Sequence, residues 1–184
     1  MQFRDTATRY GIIGKFLHWS IALLVFLQIY LVYWTEWMLP QKSPIANFYI
    51  NGLHKPIGMV VLGLAIMAIL WRISGTRPTF PKLMHSWEKF AAHLVHGLLY
   101  LCLIVMPLSG LIMSTAAGYP PNFFGWYQIP MFIPHNKEIA SYFFNIHSIS
   151  GFTLMILVGL HIVAALKHHF INRDGILKRM LPWN

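Results

Sequence analysis

The sequence predicts an all-α protein, an up-down bundle of four transmembrane helices with both termini in the cytoplasm. Three observations carry that prediction. Hydrophobic residues make up 57% of the 184 and charged residues only 10%. A soluble domain carries about 25% charged residues, so too little polar surface is left to cover a water-soluble particle. Four stretches, 16–34, 56–71, 90–117 and 139–166, contain no Asp, Glu, Lys or Arg. The basic residues also fall unevenly between the loops. Disorder is excluded because 15% of the residues are aromatic, and a disulfide framework because Cys102 is alone.

A spanning helix needs about 20 apolar residues. The first, third and fourth stretches reach that length. The second is shorter, but Lys55 and Arg72 at its ends can snorkel outward. The chain reads as one membrane domain, 1–184, with spans near 12–38, 54–73, 88–115 and 139–169. The first span is too long for a signal-peptide core and no small-residue cleavage site follows it, so it is expected to stay in the mature protein.

Net charge is +9, from 14 Lys+Arg against 5 Asp+Glu. Eleven of the 14 basic residues lie on one side: Arg4, Arg9, Lys15, Arg72, Arg77, Lys82, Lys89, Lys167, Arg173, Lys178 and Arg179. Lys42, Lys55 and Lys137 lie on the other. The positive-inside rule therefore places both termini in the cytoplasm. Topology and anionic lipid headgroups explain the basic balance, and no nucleic-acid partner is expected. The first two connections are turn-rich, with Pro40 and Pro44, then Gly75, Pro78 and Pro81. The third, 118–138, holds Phe123, Phe124, Trp126, Tyr127 and Phe132 among four prolines. It reads as a lid at the outer interface, where Trp and Tyr are favoured. No nucleotide loop, nucleophile elbow or HExxH motif occurs.

The ten histidines carry the chemistry. Ionisable residues inside spans are costly and mark sites. His147 and His161 lie 14 positions apart on the fourth span. They are separated by about 21 Å along the axis and about 40° in rotation, so they face one way at two depths. In an antiparallel bundle His54, opening the second span, is level with His147. His18, in the first span, is level with His161. Each has a small residue four positions on: Ala22, Gly58, Gly151 and Ala165. Positions i and i+4 share a helix face, so Gly58 and Gly151 clear room beside an imidazole for something large and flat. Haem iron takes two axial imidazoles from facing helices, and bundle cores house such cofactors. A bare metal ion needs no such clearance; a transporter using the same histidines is the alternative. His93, His96, His168 and His169 gather at the cytoplasmic ends. They read either as polar residues marking helix ends or as proton donors to a quinone near the inner haem.

The chain resembles the bacterial cytochrome b561 family over about residues 9–182. The resemblance lies in His18-Trp19, in His54-Lys55-Pro56-Ile57-Gly58, and in Ala92-His93-Leu94-Val95-His96. It continues in Pro107-Leu108-Ser109-Gly110, in His147 with Gly151, in Gly159-Leu160-His161, and in the tail from Ala165 to Pro182. It implies two b-type haems, an outer one on His54 and His147 and an inner one on His18 and His161. It also implies electron transfer across the bacterial inner membrane to ubiquinone. One branch takes its electrons from periplasmic superoxide, and resemblance to it implies a quinone-reducing, superoxide oxidase-like activity as the expectation for this chain. The cytochrome b subunits of hydrogenases and formate dehydrogenase share the plan but receive electrons from a partner subunit. Short loops favour a stand-alone protein, monomer or homodimer, with lipid, ubiquinone and a small donor as partners.

Overall fold

A computed structural model of the chain describes residues 2–40 and 43–182. Lys42, counted above with the outer-side cations, lies outside the described residues. Four long apolar helices form the molecule: α1 (Ile12–Met38), α2 (Pro44–Ser74), α3 (Ser86–Ala116) and α4 (Lys137–Asn172). Each is long and apolar enough to cross a membrane.

α2 begins ahead of the expected start at residue 54. Ser43 caps it by accepting the Ala46 N–H at 3.1 Å, and Pro44 takes the first-turn position, where its missing N–H costs nothing. Phe48–His54 then forms a π-helical stretch, closed by the Lys55 N–H donating to the Ile50 carbonyl. Pro56 explains it. Proline has no N–H to give the Gly52 carbonyl and its ring would strike it, so the preceding turn opens. Pro44 therefore punctuates no loop, and His54 lies well inside its helix.

Between α3 and α4 the expected lid contains a two-stranded hairpin, β1 (Asn122–Phe123) and β2 (Tyr127–Gln128), paired Asn122↔Gln128 and Phe123↔Tyr127. Gly125 turns it at φ 82, a conformation that favours glycine, while the Asn122 side chain accepts its N–H at 2.7 Å. Lys137 belongs to the start of α4 rather than to the lid. Asn136 caps that helix, accepting from Glu138 and Ile139 N–H at 2.9 and 3.0 Å.

The core repeats at helical spacing: Leu17, Ile21 and Val25 of α1 meet Ile57, Val61 and Ala65 of α2. α1 packs along α2, α2 along α3, and α3 along α4, whereas the α4 backbone stays apart from α1 and α2. Both chain ends gather at one end of the bundle. There Thr79 N–H donates to Ala7 at 2.9 Å and Arg179 donates to the Thr79 carbonyl at 2.6 Å. We call this the tail end; the hairpin marks the lid end.

Candidate functional site

Two histidine pairs bridge α4 to the helices from which its backbone stands off. Near the lid end, His54 of α2 faces His147 of α4 with ring centres 6.1 Å apart. Toward the tail end, His18 of α1 faces His161 of α4 at 6.0 Å. A metal–imidazole bond is about 2 Å and the ring centre lies about 1 Å beyond the nitrogen, so two imidazoles sharing one iron have centres about 6 Å apart. Both pairs have that separation.

The surroundings differ. His147 Nδ1 donates to the Met106 carbonyl of α3 at 2.7 Å. A carbonyl only accepts, so the proton sits on Nδ1 and Nε2 keeps its lone pair. His54 Nδ1 is buried and has no hydrogen-bond partner among the described residues, as has Oε1 of Gln28. Gln28, buried on α1, donates Nε2 to the His54 backbone carbonyl at 2.9 Å. That contact holds α2 against α1 beside the site. Gln28 also lies beside Gly58, where an added Cβ would come within 3.1 Å of its Nε2. Gly151 has open space at the same position. Spacing alone did not single out Gln28, although one amide inside an apolar span is a signal. Gly110, in the Pro107-Leu108-Ser109-Gly110 motif, lies against His147. The Gly110 Cα hydrogen that stands where a Cβ would be faces the His147 ring.

His96 joins the tail-end pair, its ring 5.1 Å from that of His161, with Nδ1 donating to the Ala92 carbonyl at 2.6 Å. The other three proposed proton donors have different neighbours. His93 is exposed, bonds the Lys89 carbonyl and meets Phe80. His168 is buried, with Nδ1 donating to Asp174 at 2.5 Å. The His169 ring meets Phe170. Trp19 packs edge-on against His18 and donates to the Met180 carbonyl at 2.8 Å. Nearby, buried Glu88 pairs with Lys167 and accepts the His85 N–H at 3.2 Å. At the lid end an open cleft of about 430 Å³ is lined by Lys55, Ser114, Tyr119, Ser141 and Phe144. Lys55 donates to the Tyr119 carbonyl at 3.2 Å. No group of three or more His, Cys, Asp or Glu that could hold a bare metal ion occurs among the described residues.

Residues 9–183 match the prokaryotic cytochrome b561 family. The chain belongs to that family. Three relatives agree along nearly their whole lengths. Cytochrome b561 homolog 2 of Escherichia coli (strain K12) is 32% identical, over 98% of this chain and 95% of its own. Cytochrome b561 homolog 1 of the same strain is 27% identical, over 91% and 93%. The probable superoxide oxidase CybB of Yersinia pestis is 25% identical, over 95% and 96%. This cytochrome b561 protein is thus a haem-binding, multi-pass membrane protein of electron transport.

Proposed function

We propose that the chain holds two b-type haems, one between His54 and His147 and one between His18 and His161. We further propose that it moves electrons from superoxide at the lid side to ubiquinone near the tail side. In this reading it is a single-domain oxidoreductase of the bacterial inner membrane, with both termini cytoplasmic. The observation that carries it is the two pairs of facing imidazoles, with ring centres 6.0 and 6.1 Å apart, at the two places where α4 stands off from α1 and α2.

The donor set fits haem better than a bare ion. Each site offers two imidazoles from different helices, which would be the protein's donor set for a b-type haem, where structural zinc takes four protein ligands. When bound, the two haems supply one-electron carriage between the two faces. The protein supplies the rest. His147 holds its ligating tautomer through Met106. Lys55, at the mouth of the lid-end cleft and next to His54, draws an anionic donor. Oxidation of superoxide to dioxygen releases one electron, so two turnovers and two protons complete one quinol. His96 is the best placed of the four candidate proton residues to serve a quinone there, because its ring touches that of His161. The relative named a probable superoxide oxidase supports this donor.

Oxidised and dithionite-reduced visible spectra of the purified protein, with a haem count by pyridine haemochrome, test the reading. Two b haems per chain are expected, and superoxide should reduce them. His147→Ala should leave one haem. A variant that keeps both overturns the pairing, and a folded protein that takes up no haem overturns the cytochrome reading of these histidines.

A further inference from the structure

His147 lies in a notch of α3. Its Nδ1 donates to the Met106 carbonyl, and Gly110 forms the floor. A Cβ built on Gly110 would lie 2.8 Å from Cε1 and 2.9 Å from Nδ1 of His147, closer than real Cβ contacts come. Pro107, between these two residues, has no N–H to donate to the Leu103 carbonyl. Ser109, buried, donates its hydroxyl to the same Met106 carbonyl at 2.8 Å. One backbone oxygen therefore serves both a serine and the imidazole.

We propose that residues 106–110 of α3 are the positioning shell of the lid-end site, fixing the His147 ring and setting the reduction potential of the haem it holds. The inference rests on His147 being an axial ligand. An imidazole that gives its second N–H to a good acceptor becomes a stronger electron donor to iron and favours the oxidised metal. Ser109 occupies part of the capacity of the Met106 oxygen, so it weakens that push and raises the potential. His54, which would hold the same haem, has no hydrogen-bond partner on Nδ1 among the described residues, whereas His147 has the Met106 carbonyl. Met106 and Gly110 contact the His147 ring and Ser109 contacts the Met106 carbonyl, so each would act through that ring.

The test is a spectroelectrochemical titration of the haem-loaded protein, with the tail-end haem as internal reference. Ser109→Ala should keep both haems and shift only the lid-end midpoint, downward. Gly110→Ala should displace the ring and loosen that haem by about 10–100-fold. A lid-end midpoint that is unchanged or raised in Ser109→Ala overturns the proposal, and that variant decides the matter if Gly110→Ala fails to fold. His147→Ala separates the two layers. If it removes one haem while Ser109→Ala is silent, only the positioning role falls. If it keeps both haems, the ligand assignment itself falls and takes the positioning role with it.

Discussion

At the scale of single residues, spacing and packing divide the work. The rise and rotation of a helix are fixed, so 14 positions were enough to place His147 and His161 on one face. Met106 and Gly110 were not legible in the same way. Their roles depend on how α3 lies against a ring 41 residues from Met106 and on another helix. Gln28 could have been noticed as a polar residue in an apolar run, but only contact with the His54 carbonyl gives it a function. Tyr10 offers a separate check on the tail end. Its phenol is pushed above the usual 10.0, chiefly by burial; Arg72 opposes the shift, while Asp5 and Tyr100 add to it. The folded state therefore prefers the neutral phenol. The stability this contributes is complete below about pH 10 and is lost as pH rises through the higher folded value. An ultraviolet titration should contain a late-ionising tyrosine component that Tyr10→Phe removes.

At the scale of elements, the second helix carries the main difference between expectation and structure. Its charge-free stretch is short, and Ser43-Pro44 resembles loop punctuation until the cap is seen. The same pair is an N-cap followed by a first-turn proline, which is a helix-start signal. The π-helical stretch could not be read from sequence, because it settles a steric conflict between Pro56 and the turn before it. It ends on His54, so its opening sets which way that ring faces. Pro56→Ala restores an N–H and lets the turn tighten. We expect His54 to rotate away and the haem count to fall toward one per chain. An unchanged count would mean that the wide turn does not orient His54.

At the scale of the whole molecule, the tail braces the end of α1 that bears His18. Lys15 donates to the Leu181 carbonyl and Trp19 to that of Met180, both at 2.8 Å, while Arg179 ties the tail to Thr79. The neutral Trp19 bond is worth about 1 kcal/mol net, and bonds from charged donors such as Lys15 and Arg179 about 1.5–3 kcal/mol. Trp19→Phe should lower the thermal midpoint slightly and leave both haems in place. Deleting residues 173–184 removes all three bonds. It should loosen the haem proposed between His18 and His161 and spare the one proposed near the lid, read as loss of one haem on repeated washing. Loss of the lid-end haem first would contradict a local bracing role.

The sequence by itself determined the membrane class, the four helices and the two levels at which histidines meet. Each follows from local chemistry. Apolar composition excludes water-soluble packing, and helix geometry turns residue spacing into depth and direction. Tertiary structure decided the rest. It chose which helices pack and which stand apart, it brought His96 rather than His93 or His168 to the His161 ring, and it set His147 into α3. These outcomes depend on side chains far apart in the chain competing for the same space, and no local pattern encodes the result of that competition.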